Sequence, residues 1–181
     1  MSSRVFKVWD PLVRLFHWSL VIAFTANALF TNPDGTAHQW VGYAVVALIG
    51  LRIFWGLVGG HYARFASFPP SAQGAMRQLS DVATGRKRAH LGHTPLGALM
   101  IYNLLVSILA IGATGWILAV DPGNSIDWVE ELHEGLVTWA EISIIAHVVA
   151  VIWESRRTGV NLPRAMVSGV KTVPGGVMIE P

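Results

Sequence analysis

The chain has 181 residues, 52% of them hydrophobic and only 13% charged, with a mean hydropathy of +0.48. A soluble domain carries about 25% charged residues, so this composition excludes one, and the length suits four membrane spans joined by short loops. The absence of cysteine excludes disulfides, cysteine-held clusters and covalent C-x-x-C-H attachment of a haem. The pI of about 9.3 follows membrane topology and is no sign of nucleic-acid binding.

In chain order, the first span is predicted over residues 12–31, closed by the turn cluster Asn32-Pro33-Asp34-Gly35. It has no small-residue cleavage site and continues into further spans, so it does not read as a signal peptide. The second span covers 37–58 and stops at Gly59-Gly60. A polar, Arg-rich loop follows over 61–93, within which residues 71–84 can form a short amphipathic surface helix. The third span covers 95–120, with Thr94 as N-cap and Pro95 at the first helical position. Asp121-Pro122-Gly123-Asn124 makes a turn, and the fourth span covers 129–155. Residues 1–157 are therefore the transmembrane domain and 158–181 a cytoplasmic tail, expected to be loosely ordered because it ends Pro/Gly-rich. The predicted fold is an all-α, integral membrane four-helix bundle.

Basic residues orient it. Arg4, Lys7 and Arg14 precede span one. Arg64, Arg77, Arg86, Lys87 and Arg88 fill the central loop, and Arg156, Arg157, Arg164 and Lys171 follow span four. The other two loops hold only acids. The positive-inside rule places both termini in the cytoplasm. Seven of the eight tryptophans, all but Trp139, fall at or near predicted helix ends, as in the aromatic belts of membrane proteins.

Ionisable groups inside a bilayer are costly and mark function. His133 and His147 are fourteen residues apart, close to four whole turns, so both imidazoles share a face of span four about 21 Å apart. His38 matches the depth of His133, and His17 that of His147. Two pairs of imidazoles at two depths suit two six-coordinate haems b, His17 with His147 at the inner surface and His38 with His133 at the outer. Bis-imidazole ligation leaves no open site and favours electron transfer. Arg52, fourteen residues after His38, shares its face; an inner haem propionate would pair it, and the alternative is snorkelling to the surface. Glu141 near the middle of span four invites a bond to Asn103 or Thr138, or a proton path. His61 reads as interfacial. His90 and His93 read as solvated, capping, or contacting a propionate or quinone, and His93 is the substitute inner ligand. Gly42, Gly50, Gly112 and Gly115 allow close approach of a helix or a flat macrocycle.

The segment Val8-Trp9-Asp10-Pro11-Leu12-Val13-Arg14-Leu15-Phe16-His17-Trp18 resembles bacterial cytochrome b561 proteins, in the branch grouped with the cytochrome b subunit of nickel–iron hydrogenases. Arg52-Ile53-Phe54-Trp55-Gly56, Tyr62-Ala63-Arg64-Phe65, Gly92-His93-Thr94-Pro95-Leu96-Gly97-Ala98 and Leu132-His133-Glu134 resemble that branch too. The resemblance spans residues ~5–157. It implies a di-haem cytochrome b of the bacterial inner membrane with the same four ligands, exchanging electrons between membrane quinone and a periplasmic c-type cytochrome or an oxidoreductase subunit. A homodimer is compatible with so small a membrane cytochrome. Two rivals remain: a superoxide:quinone oxidoreductase, which the acidic outer loops disfavour because the anion needs a positive funnel, and a His-lined metal-ion permease without haem.

Overall fold

The computed structural model describes residues 3–120 and 127–180. The predicted turn at 121–124 and the first part of the acidic loop lie outside the described residues. Four helices are long and apolar enough to cross a membrane: α1 (Pro11–Phe30), α2 (Thr36–Val58), α4 (Pro95–Val120) and α5 (Asp127–Thr158). Their bounds fall within three residues of those predicted. Caps set the ends. The Asp10 side chain accepts from the Val13 N–H at 2.9 Å ahead of Pro11, and Thr94 Oγ1 accepts from the Gly97 N–H at 3.0 Å ahead of Pro95. At 32 residues, α5 is about 48 Å long and outruns a hydrocarbon core of about 30 Å.

The helices pack in chain order: α1 on α2, α2 on α4, and α4 most extensively on α5. Val45, Ile49 and Ile108 form the buried seam between α2 and α4, with Phe16, Leu20 and Phe24 of α1 against it. Gly112 serves this crossing, since a Cβ there would collide with Val46. Helix α5 is not packed closely along α1 or α2. The bundle is thus closed on three seams and open between α5 and the first two spans.

A small cap covers the end where α1 and α4 begin. Strand β1 (Ser3–Lys7) pairs antiparallel with β3 (Val170–Pro174), and β2 (Arg88–His90) pairs parallel with β4 (Met178–Glu180). Helix α3 (Ala72–Ala83) is the expected amphipathic surface helix. It seats on the start of α4, where Gln78 Oε1 accepts from the Leu96 N–H at 3.0 Å, an otherwise orphaned donor. Helix α6 (Leu162–Ser168) ends at Gly169, whose φ of 83° lets its carbonyl turn back to accept from the Val8 and Trp9 N–H groups.

The tail is therefore not the loose segment expected from its Pro/Gly content. Val173 and Val177 bury with Ala89 and Val160, and Ala165 buries with Val8, Trp9, Val13 and Ala63. Two tryptophans also depart from the aromatic-belt reading. Trp9 is buried in the cap core, and Trp55 donates to Asp10 Oδ2 at 3.2 Å. Trp40, Trp116, Trp128 and Trp153 are exposed at the helix ends as expected.

Candidate functional site

Each candidate histidine lies one or two turns from, or well inside, the end of an apolar helix. His38 is on the first turn of α2 and His133 on the second turn of α5, and their rings come together across the open seam with centroids 6.4 Å apart and planes inclined at 69°. A metal between two imidazoles, with bonds of about 2 Å to each nitrogen, puts the ring centres about 6 Å apart. The pair thus has the separation of two axial ligands. Both rings are anchored through Nδ1: His38 Nδ1 lies 3.2 Å from Thr31 Oγ1, and His133 Nδ1 lies 2.8 Å from Thr114 Oγ1. Gly115 keeps the slot open, because a Cβ there would sit 3.1 Å from His133 Cε1.

At the other end, His17 on α1 and His147 on α5 are half-buried and within electrostatic reach of each other. His17 Nδ1 is buried with no hydrogen-bond partner. This pair lies toward the cap end of the bundle, well inside both helices, and lacks the threonine anchors of the first pair.

Arg52 is buried at 4% exposure, and its Nη1 has no hydrogen-bond partner. Its guanidinium lies over the Phe65 ring, 4.8 Å from the centroid. The nearby Asp10 carboxylate is already committed to the α1 cap and to Trp55. Arg52 therefore does not snorkel, and no carboxylate among the described residues forms an ion pair with it. A buried cation in this state lacks the anionic partner that would offset its desolvation.

His93 sits beyond Arg52 in the loop before α4, between Trp9 (centroids 4.6 Å) and Phe68 (4.2 Å). Its Nδ1 is buried without a partner, and burial pushes the imidazole down to about 3, with the charges of Lys171 and Arg52 adding to the effect. Lys171 of β3 is buried, donates to the His90 and Gly92 carbonyls at 3.1 and 2.8 Å, and is pushed down to about 8 by burial. His90 pairs with Glu180 at 2.9 Å, and His61 is exposed, as an interfacial residue would be.

Glu141 is exposed on α5, and Asn103 is not its partner. Asn103 accepts from Trp139 Nε1 at 3.0 Å and donates to Ser143 Oγ at 2.9 Å. Sequence reasoning missed Thr31 and Thr114. Each is remote in sequence from its histidine, by seven and nineteen residues, and neither lies on the same helix as that histidine, so no periodicity exposes them. Among the described residues no cluster of three or more His, Asp or Glu side chains is gathered.

Four apolar helices, with His38 and His133 meeting at one end and His17 and His147 toward the other, have the make-up of a membrane cytochrome of the b type. The family model for prokaryotic cytochrome b561 matches residues 8–169, and the chain belongs to that family. It is accordingly a multi-pass membrane protein of haem-b-dependent electron transfer. The match takes in α6 but not the final strands. No curated protein and no solved structure is significantly similar to the chain.

Proposed function

We propose that the protein holds two haems b, one between His17 and His147 and one between His38 and His133, and passes electrons between membrane quinone and a redox partner. The observation that carries this reading is the His38–His133 separation of 6.4 Å across a seam that the helices leave open. Bound there, haem supplies a one-electron couple whose potential depends on axial ligands, hydrogen bonds and burial.

The chain's own residues do the rest. The four imidazoles would hold the two haems in pairs, and ligation by two imidazoles would leave no site open to dioxygen. Arg52 takes a propionate of the inner haem, which would satisfy its unpartnered Nη1. The apolar seam of Val45, Ile49 and Ile108 keeps water from the path between the two sites. By the positive-inside rule the cap is cytoplasmic and the His38–His133 end faces the periplasm of the bacterial inner membrane. There Asp127, Glu130, Glu131 and Glu134 lie exposed on the first turns of α5, a surface suited to a basic c-type cytochrome or to a basic face of an oxidoreductase subunit. The same acidic end argues against collecting superoxide.

The test is a reduced-minus-oxidised spectrum of the purified protein, with haem counted per chain by pyridine haemochrome. Two low-spin b haems per chain are expected, reducible by quinol. One haem would retire one histidine pair, and none, in protein made with ample haem supply, would retire the proposal.

A further inference from the structure

The outer imidazoles are not only close together; their protons are assigned by what stands behind them. A threonine hydroxyl has one proton to donate. Thr31 Oγ1 lies 2.6 Å from the Asn27 carbonyl one turn back on α1, and that short contact takes the proton. Toward His38 Nδ1 the same oxygen is left to accept. Thr114 Oγ1 lies 2.9 and 3.0 Å from the Ala110 and Ile111 carbonyls of α4, which can only accept, whereas an imidazole nitrogen can donate; with its proton on that pair of carbonyls, the hydroxyl accepts from His133 Nδ1 at 2.8 Å. Each ring is then an Nδ1–H tautomer with its Nε2 lone pair free, the form an imidazole needs to bind a metal through Nε2. Thr114 is 7% exposed, so water competes little for this bond. The inner pair has no such support: His17 Nδ1 is buried and unpartnered.

We infer that Thr31 and Thr114 are positioning residues that fix the tautomer, orientation and basicity of His38 and His133, and thereby hold the outer haem at a lower reduction potential than its ligands alone would give. An imidazole that donates from Nδ1 is the more basic ligand, and a more basic ligand favours the ferric state. The inference rests on the reading of His38 and His133 as axial ligands. It assigns the outer site a control that the inner site does not have, and it draws the two controlling hydroxyls from the C-cap of α1 and from α4, helices that carry neither outer ligand. The potential of the outer haem is thereby tied to the α1–α2 and α4–α5 seams.

The experiment compares Thr31→Val, Thr114→Val and Thr114→Ser with the parent by redox titration of the two haems, each identified beforehand in a His133→Ala variant that keeps only the inner one. Valine keeps the shape and removes the acceptor; serine keeps the acceptor. Each valine variant is expected to shift the outer haem about threefold toward the reduced state, or about 28 mV given 59 mV per tenfold change for one electron. The inner haem stays unmoved, and Thr114→Ser returns the parent value. Selective loss of the outer haem in Thr114→Val, restored by serine, also supports the inference. Unchanged potentials, or equal shifts in both haems, overturn it. A His133→Ala protein that still carries two haems overturns instead the ligand reading beneath it, so the two failures are told apart.

Discussion

His38 and His133 meet across the open seam already spaced for a metal and anchored from behind by two hydroxyls. His17 and His147 occupy the same kind of position toward the other end with no such anchor, at the end of the bundle that also carries the buried, unpartnered Arg52 guanidinium and the folded cap. One site is organised by neutral hydrogen bonds within the membrane helices. The other lies toward the end of the bundle where a buried charge and the folded chain outside the helices gather. Two imidazole pairs at two depths of one bundle thus have different surroundings. The outer pair is already spaced and anchored, whereas the inner end carries a buried cation with no ion-pair partner among the described residues.

The largest expected effect tests whether the two sites are independent. His17→Ala and His133→Ala should each lower the haem content from two per chain to one, and the double variant to none, as read by pyridine haemochrome. A single variant that loses both haems would show that the pairs form one cooperative unit.

Arg52 sharpens the contrast further. Arg52→Met removes a buried, unpaired charge, so the haem-free protein should gain roughly 1–4 kcal/mol of stability, as when buried ionic groups are replaced by apolar ones. The haem-loaded protein should hold its inner haem less tightly by about 1.5–3 kcal/mol, the worth of a hydrogen bond to a charged group. Thermal unfolding of both forms and transfer of haem to an excess of scavenger protein measure the two effects. Equal destabilisation of both forms would make Arg52 a packing residue.

The smallest effect concerns the cap. In the fold, His93 is held down at about 3 by burial, against 6.5 when free. The unfolded cap therefore binds the proton first. The stability His93 contributes is full above about pH 6.5 and is lost as the pH falls toward about 3. Burial lowers His90 as well, against the pull of Glu180. Amide exchange at residues 88–93 and 170–174, corrected for intrinsic rates, should quicken between pH 7 and pH 5, while the outer ends of α2 and α5 stay unchanged. His93→Phe, which cannot charge, should flatten part of that dependence. A cap indifferent to pH in the parent would remove the electrostatic half of the comparison.

Much of this protein is written in one dimension. Apolar runs of 20 residues or more bounded by Pro, Gly and capping side chains set α1, α2, α4 and α5, because a backbone in lipid must satisfy its hydrogen bonds internally and a helix does so locally. The fourteen-residue interval between His133 and His147 places both on one face for the same local reason. The tertiary structure alone decided what stands behind those histidines. Thr31 and Thr114 reach them from other helices, through bonds that depend on seams between segments distant in the chain. It also decided the tail, whose strands are stable only because β1 and β2 offer them partners. A strand makes its ladder hydrogen bonds to another segment, whereas a helix makes them within itself, and so the helices were legible in the sequence and the cap was not.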